Sequence, residues 1–111
     1  MAGKFEILQS ADGYRFNLKA GNGEIVFSSE SYASENGAKQ GAESVKNNSM
    51  QDSLYERKTD AGGAAYFVLK AGNGEIIGKS ETYSSEAAME RGIQAVKMNA
   101  ADAQIVGAQN S

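Results

Sequence analysis

Apolar and polar residues alternate without interruption over residues 14–20. The apolar positions are Tyr14, Phe16, Leu18 and Ala20, and the polar positions between them are Arg15, Asn17 and Lys19. A period of two is typical of a strand that is buried on one face. A shorter alternation at residues 5–7 predicts a strand before it, and the Asp-Gly pair at 12–13 favours a chain reversal between the two. The chain therefore begins with a predicted antiparallel hairpin.

A third strand is predicted after Asn22-Gly23, a dipeptide that suits a two-residue type I′ turn because both turn positions need positive φ. The register that this turn predicts pairs Ala20 with Ile25 and Leu18 with Phe27. It brings the apolar side chains of both strands to one face, so the turn and the hydrophobic pattern agree. A glycine-rich loop that holds phosphate opens onto a helix, whereas this one joins two strands, and we interpret it as a structural hairpin.

The spacing of apolar residues changes to a helical period after Ser34, which predicts a helix with this serine at its N-cap. One face of that helix carries Ala38, Gly41, Ala42 and Val45. A second predicted helix after Ser85 carries Met89, Gly92, Ile93 and Val96 at the same spacing. The shared glycine position predicts a close helix–strand or helix–helix approach. Tyr32 and Tyr83 precede the caps and are either anchors under the helices or aromatic platforms for a ligand.

An internal repeat organises the whole chain. Residues 18–25 recur letter for letter at 69–76, which is 51 positions later, and further identities continue through both predicted helices. Each copy, about residues 3–49 and about residues 52–106, is predicted to form three strands and a helix. A unit of roughly 50 residues buries too little surface to fold stably alone. We therefore expect residues 1–111 to form one composite domain with a shared core.

The predicted fold is α+β, with one six-stranded antiparallel sheet, two helices on one face and a pseudo-twofold axis between the copies. The copies are not interchangeable, because Phe27 of the first corresponds to Gly78 of the second. Such an exchange of bulk is expected when two units fill one core. Arg57 stands where the first copy has Ile7, so the sequence leaves open which face of the fourth strand points inward.

Composition removes several kinds of chemistry. The 111 residues include no Cys, His, Trp or Pro, which excludes disulfides, thiol and histidine catalysis and Cys/His zinc sites. The 11 Lys and Arg against 14 Asp and Glu give a net charge of −3, which does not favour nucleic acid or an anionic membrane. The chain has no apolar run of about 20 residues, and residues 1–4 lack a secretory core, so we expect a cytoplasmic protein. We expect no cofactor or metal.

The motifs of this repeat are similar to those of a known family. The pattern Phe-x-Leu-Lys-Ala-x-Asn-Gly-Glu, a later Ser and Tyr, and Gly-x-x-x-Val-Lys-x-Asn resemble the YegP-like bacterial proteins over about residues 3–106. The resemblance implies two β3α units in one sheet, present here as tandem repeats, with the C-terminal helices exchanged so that each packs across the other unit. The family carries a domain of unknown function, so the resemblance implies no activity, cofactor or site residue.

Three apolar residues of the second copy, Tyr66, Val68 and Ile77, are predicted to lie together on the sheet face that no helix covers. The equivalent residues of the first copy are Arg15, Asn17 and Val26. An apolar cluster on a wet face is typical of a contact surface, and the alternative is modest edge packing without a partner. The leading hypothesis is a non-catalytic binding or interaction module whose uncovered sheet face or sheet edge meets a protein or peptide.

Two other functions stay open. Arg15, Lys19 and Lys70 point outward in this register and form a sparse basic set that would suit a nucleic acid. The alternative is a solvated face on which Glu6 and Glu56 share the charge. A small enzyme is the least favoured, because no carboxylate pair or Ser–Lys arrangement has a characteristic spacing. We expect a monomer, since the two copies pair within one chain.

Overall fold

The computed structural model describes residues 3–110 and contains every strand and helix that the sequence predicts, together with one more strand. In chain order the elements are β1 (Lys4–Ser10), β2 (Gly13–Lys19), β3 (Ile25–Ser29), α1 (Glu35–Asn48), β4 (Tyr55–Thr59), β5 (Ala65–Lys70), β6 (Ile76–Lys79), α2 (Glu86–Ala100) and β7 (Gln104–Asn110). A short 3₁₀ turn, Asp52–Leu54, precedes β4. Residues 1, 2 and 111, which the single-domain prediction includes, lie outside the described residues.

The strands form one sheet in the order β4-β5-β6-β3-β2-β1-β7. Neighbouring strands run antiparallel except β1 and β7, which are parallel, so the sheet is mixed. The predicted six-stranded antiparallel sheet is therefore wrong at one edge, where a seventh strand is added. The prediction missed this strand because only Ile105 and Val106 of the tail favour a strand locally. Pairing with β1 extends it from Gln104 to Asn110.

Strands β3 and β6 join the two repeats in the middle of the sheet. Ser28 pairs with Lys79, and Ser29 pairs with Gly78. A Cβ atom on Gly78 would overlap the Ser28 carbonyl oxygen and lie 2.9 Å from the Phe27 ring. Only glycine therefore lets the two strands approach this closely. Gly78, the small residue that corresponds to Phe27 in the first repeat, is therefore the residue at which the two repeats make contact.

The turn between β2 and β3 differs from the predicted type I′ turn. Within residues 3–110 only glycines have positive φ, so Asn22 has a negative φ, while Gly23 takes a φ of 89°. The Gly23 N–H donates to the Ala20 carbonyl at 2.9 Å, and the Ala20 N–H donates to the Glu24 carbonyl at 2.8 Å. These bonds close a three-residue loop that carries a bulge, a form that needs only one positive φ.

The bulge shifts the register at the end of the hairpin. The predicted pair of Leu18 with Phe27 is confirmed, whereas Ile25 pairs with Lys19, one residue earlier than predicted. Ile25 consequently leaves the core and is 40% exposed. The equivalent Ile76 is 50% exposed beside the same irregularity in the second repeat.

Both helices begin at the predicted caps and bury the predicted faces. The Ser34 hydroxyl accepts the Gly37 N–H at 3.0 Å, and the Ser85 hydroxyl accepts the Ala88 N–H at 3.1 Å. Helix α1 contacts β1, β2 and β7 and also β6 of the second repeat, whereas α2 contacts β5 and also β1, β2 and β3 of the first repeat. Each helix therefore touches both repeats, and these contacts do not confirm a complete exchange of helices.

Tyrosine rings occupy the space above the helix glycines. The Tyr32 ring stacks on Phe16 with the ring centroids 6.3 Å apart, and a Cβ atom on Gly41 would overlap the Tyr32 hydroxyl. Tyr83 has the same relation to Gly92. The close approach at these glycines is thus made by a side chain from the preceding segment rather than by a strand or helix. This packing is the anchor arrangement, and burial raises the pKa of both tyrosine hydroxyls.

Strand β4 turns Tyr55 and Arg57 towards the helices, which answers the question that the sequence leaves open. Tyr55 is buried among core residues. The Arg57 guanidinium binds Glu90 of α2 at 2.6 Å and Asp52 at 3.0 Å. Because β4 is an edge strand, the guanidinium reaches the rim of the core, where an ion pair replaces the apolar contact that Ile7 makes in the first repeat.

Candidate interaction surface

The sheet face opposite the helices, here called the outer face, consists of the alternate residues of the same strands. Phe16, Leu18 and Phe67 belong to the core, so their neighbours along each strand point the other way. The Cα pairings align six outward residues in one central row. The central row runs Glu6, Asn17, Ser28, Lys79, Val68 and Glu56. The repeat offset maps Ser28 onto Lys79, so this middle pair lies on the pseudo-twofold axis.

Two clefts flank the pair of Ser28 and Lys79, and both residues line each of them. The larger cleft has a volume of about 460 Å³ and the smaller cleft about 320 Å³. The larger cleft is further lined by Asp60, Tyr66 and Glu81, and the smaller cleft by Asp12, Arg15 and Glu30. The internal repeat relates the two clefts, so the differences between them come from the side chains at equivalent backbone positions.

Ion pairs occupy both ends of the central row. Lys19 lies 2.9 Å from Glu6, and Lys70 lies 2.8 Å from Glu56, which also binds Lys58 at 2.8 Å. The hydrogen bonds from Lys58 and Lys70 lower the pKa of Glu56 to about 2. Two of the three basic residues that the sequence offers for nucleic acid are therefore already paired with carboxylates.

The centre of the outer face differs from its ends in having unpaired cations. Within residues 3–110, Arg15 and Lys79 form no ion pair, although both line the smaller cleft. Arg15 is one of the residues predicted from the sequence, and Lys79 is not. The pairing of β3 with β6 brings Lys79 to the middle of the sheet, and no pattern along the chain indicates that pairing.

Asn17 is a buried polar residue in the central row, with 7% of its surface exposed. Its side chain binds the Ser28 hydroxyl at 2.8 Å. The amide has an oxygen and a nitrogen, and among the described residues Ser28 is the only side chain that bonds to either of them. Whichever way the amide is turned, one of its two polar atoms lacks a partner within the described chain.

The structure places the three predicted partner-surface residues in two regions. Tyr66 lines the larger cleft, and Val68 lies beside it in the central row with 5% exposure. Ile77 instead belongs to the hydrophobic core cluster and borders a groove beside α1, next to Tyr32. The bulge in β6 accounts for the difference, because it breaks the alternation that the prediction assumes.

Repeated polar groups near the clefts have structural partners. The Phe16 N–H donates to the Ser29 hydroxyl at 2.9 Å, and the Phe67 N–H donates to the Ser80 hydroxyl at 3.0 Å. Asp60 accepts two backbone N–H groups of its own turn. Residues 3–110 hold no group of three or more acidic side chains placed to bind a metal ion. Neither helix in that range is long and apolar enough to cross a membrane.

A tandem-repeat sheet with two helices on one face and a polar, cleft-bearing face on the other defines a class of small α+β proteins. The chain belongs to the family described as a domain of unknown function, DUF1508, which matches residues 9–56 and 60–106. This confirms the resemblance and the tandem repeat.

Named relatives agree with this membership. The chain is 45% identical to a UPF0339 protein in the ptx operon 5′ region of Stutzerimonas stutzeri, over 96% of both chains. It is 49% identical to the UPF0339 protein YegP of Escherichia coli K12, over 89% of this chain and 91% of that protein.

Two solved structures have the same fold. The solution structure of YegP from Escherichia coli, a protein of unknown function, matches with a TM-score of 0.91 and 44% identity, covering 100% of this chain and 96% of that one. The solution structure of a UPF0339 protein from Shewanella oneidensis matches with a TM-score of 0.90 and 40% identity, covering 99% and 93%. These relatives are uncharacterised proteins.

Proposed function

We propose that the protein is a non-catalytic binding module whose outer face docks a partner protein or peptide. The observation that carries this proposal is the centre of that face, where Arg15 and Lys79 form no ion pair within residues 3–110 and the Asn17 side chain bonds, among the described residues, only to the Ser28 hydroxyl. Tyr66, which is half-buried in the larger cleft, adjoins this centre and adds apolar surface.

The face supports docking better than the edge at β4. Glu56, Arg57 and Lys58 occupy consecutive positions of this five-residue edge strand. A short, charged edge strand resists the addition of another strand, because the side chains must be desolvated or opposed. The partner therefore meets side chains of the outer face rather than the backbone of β4.

Affinity capture from the native cell tests the proposal with two variants that reverse one positive charge each. Lys79→Glu changes the centre of the outer face, and Arg91→Glu changes an exposed position on α2. We expect proteins that are retained by the parent chain and by Arg91→Glu to be lost with Lys79→Glu. Circular dichroism checks that both variants fold. Identical protein sets for all three chains would contradict a role for the outer face.

Nucleic acid is the less favoured partner. Of the three basic residues that the sequence offers, Lys19 and Lys70 are paired with Glu6 and Glu56, which leaves Arg15. We expect no salt-dependent binding of single-stranded DNA or RNA at physiological ionic strength, measured by fluorescence anisotropy. Binding that weakens steeply with salt would favour the nucleic-acid hypothesis instead.

A monomer in the cytoplasm is part of the same proposal. The β3–β6 pairing joins the repeats within one chain, which is where two single-repeat subunits would otherwise meet. Sedimentation at low concentration is expected to give a mass near 11.7 kDa. Cell fractionation tests the compartment.

A further inference from the structure

The two repeats carry different residues at equivalent positions of the outer face. Positions that hold the fold together, such as the capping serines and the stacked tyrosines, are the same in both repeats. Several outer-face positions are not, and three of them lie at or beside the clefts. The related pairs are Arg15 with Tyr66, Asn17 with Val68 and Ser28 with Lys79. The fold therefore does not require these residues, because each repeat forms the same strands with a different choice.

Hydrogen-bond donors gather around the smaller cleft. The Arg15 guanidinium and the Lys79 ammonium are donors only, and neither meets a carboxylate within residues 3–110. The amide of Asn17, which does not line the cleft itself, adds a third donor next to Ser28, because the Ser28 hydroxyl donates a hydrogen bond to the amide oxygen and the nitrogen has no partner among the described residues. Such a site accepts a ligand group rich in acceptors, and a carboxylate matches the fork of an arginine.

An apolar surface adjoins the donors across the axis. Tyr66 is half-buried in the wall of the larger cleft, and Val68 follows it along β5 in the central row. A tyrosine ring is a common contact for aliphatic or aromatic side chains of a partner. Both clefts share Ser28 and Lys79, so a carboxylate in one cleft places the next ligand residue beside the other.

Carboxylates at the outer ends of the clefts limit the charge of the ligand. Asp12 and Glu30 line the smaller cleft, and Asp60 and Glu81 line the larger. A nucleic acid, which carries a charge at every nucleotide, would bring phosphates against these groups. A protein segment with one acidic residue and neutral or basic flanks would not. Charge complementarity therefore favours the peptide.

We infer that the outer face recognises an extended protein segment in which one aspartate or glutamate side chain adjoins an apolar residue. The carboxylate binds Arg15 and Lys79 in the smaller cleft and the Asn17 amide beside Ser28, and the apolar residue lies on Tyr66 in the larger cleft. This inference rests on the proposed function and adds the chemistry of the partner.

Selection from a phage-displayed library of random nonapeptides tests the inference with the intact chain. Enriched peptides are expected to contain one acidic residue next to an aliphatic or aromatic one. A synthetic copy of an enriched peptide should bind about tenfold more weakly when its acidic residue is replaced by the matching amide. The backbone amide signals of Asn17, Ser28 and Lys79 should shift on titration in a ¹⁵N-labelled sample.

Matched variants separate recognition from general charge. Each of two variants, Arg15→Gln and Asn17→Val, should weaken the binding of the peptide by about tenfold. Asn17→Val introduces the residue that the second repeat has at this position. Lys19→Gln removes one positive charge from the same face of the same strand, and it should leave the affinity within about twofold, because Lys19 is already paired with Glu6. Melting temperatures of the three variants show whether each is folded at the assay temperature.

Several results would overturn the inference. They are enriched peptides without an acidic residue, equal binding of the acid and amide peptides, equal weakening by Lys19→Gln and Arg15→Gln, or tighter binding of a twelve-nucleotide oligothymidine to this face. If no peptide is enriched while Lys79→Glu still abolishes the capture of proteins, the inference fails and the binding module stands. If the capture is also unaffected, both fail.

Discussion

At the scale of single residues, the helix glycines have a role that their helix propensity alone does not show. Glycine in a helix interior is about 1 kcal/mol less favourable than alanine. Glycine is nevertheless needed at position 41, because the Tyr32 hydroxyl fills the space in which a Cβ atom of Gly41 would lie. Tyr83 and Gly92 repeat the arrangement. The pairing of a tyrosine with a glycine nine residues later is therefore a structural signature of each repeat.

Gly41→Ala should destabilise the protein by about 1–2 kcal/mol, although alanine favours a helix, because the methyl group overpacks against Tyr32. Urea unfolding followed by circular dichroism measures the change. Gly37→Ala is the matched control in the same helix, since its Cβ atom would lie at ordinary contact distance from Tyr32, 3.5 Å, and would need only a small shift of the Ser34 hydroxyl, which lies 3.3 Å away. A Gly41→Ala variant as stable as the parent would show that the tyrosine moves aside freely.

Glu56 is the residue whose titration reports on the outer face. Lysines 58 and 70 lower its pKa to about 2, from an ordinary value near 4.5. Because the folded-state pKa is the lower one, the ionised carboxylate stabilises the fold above the ordinary value, and this contribution disappears as the pH falls towards about 2. Carbon-detected NMR of the carboxyl group should give that midpoint.

Two lysines on the outer face provide matched variants in which the pKa of Glu56 can be compared. Lys70→Gln removes one of the hydrogen bonds to this carboxylate, and the pKa of Glu56 should rise. Lys19→Gln changes the same charge at the other end of the central row, beside Glu6, and should leave the Glu56 midpoint unchanged. An equal rise in both variants would indicate a long-range effect of net charge rather than the contacts described.

At the scale of elements, β4 is held to α2 by charge where the first repeat uses apolar contact. Arg57 binds Glu90 through two nitrogen–oxygen contacts of 2.6 and 3.0 Å. Asp52 lies 3.0 Å from Arg57 and 3.0 Å from Lys97, so the turn before β4 is tied into the same network. The guanidinium lowers the pKa of both carboxyl groups.

A double-mutant cycle with Arg57→Gln and Glu90→Gln should give a coupling of about 0.5–1 kcal/mol at low salt. The value is modest because the side chains are 34% and 47% exposed. Raising the salt to about 1 M should reduce the coupling, since screening weakens partly exposed pairs. A coupling near zero at low salt would mean that β4 is positioned by Tyr55 and its neighbours alone.

The elements show where reasoning from sequence succeeds and where it stops. Apolar residues recur with a period of two over residues 14–20 and with a period of 3.6 on the helix face that includes Val45. These periods depend only on the local sequence, and the strand and the helix that they predict are present in the fold. The local sequence does not determine the type of turn at Gly23, because an Asn-Gly pair is compatible both with a bulged loop and with a two-residue turn. Ile25 and Ile77 then fall on faces that strict alternation does not give.

The candidate site is less predictable than the fold because it is made by two strands that are far apart in the chain. Tyr66 and Arg15 are visible from their alternation within one strand. Lys79 acquires its place only when β6 pairs with β3, and that register depends on the absent side chain of Gly78. Asn17 appears in the sequence as an ordinary outward residue, and its hydrogen bond to Ser28 becomes visible only when β2 pairs with β3.

At the scale of the whole molecule, aromatic rings form one continuous series across the boundary between the repeats. Tyr32 stacks on Phe16, Phe27 stacks on Phe67 with centroids 6.2 Å apart, and Phe67 stacks on Tyr83. Phe16 and Phe27 are joined at 6.5 Å. The rings of the two repeats therefore fill a single core, and neither repeat encloses its own.

The isolated segment of residues 1–50 should consequently be unfolded as a monomer. Phe27 is fully buried in the intact chain, and the ring that covers it, Phe67, belongs to the other repeat. Phe5 is fully buried as well and pairs with Ile105 of β7, which the segment also lacks. Removing these partners exposes two large apolar side chains, each worth about 1.5–3 kcal/mol, in a unit whose own burial is marginal.

Circular dichroism and the dispersion of amide signals in NMR measure this prediction, with the intact chain as the reference. The segment should show little secondary structure and no cooperative melting at low micromolar concentration. Mixing it with residues 51–111 should restore dispersion, because the second segment supplies both Phe67 and Ile105. A compact, cooperatively melting monomer of residues 1–50 would mean that burial within one repeat is sufficient, and the shared aromatic core would then be a consequence of joining two stable units rather than the reason that they fold.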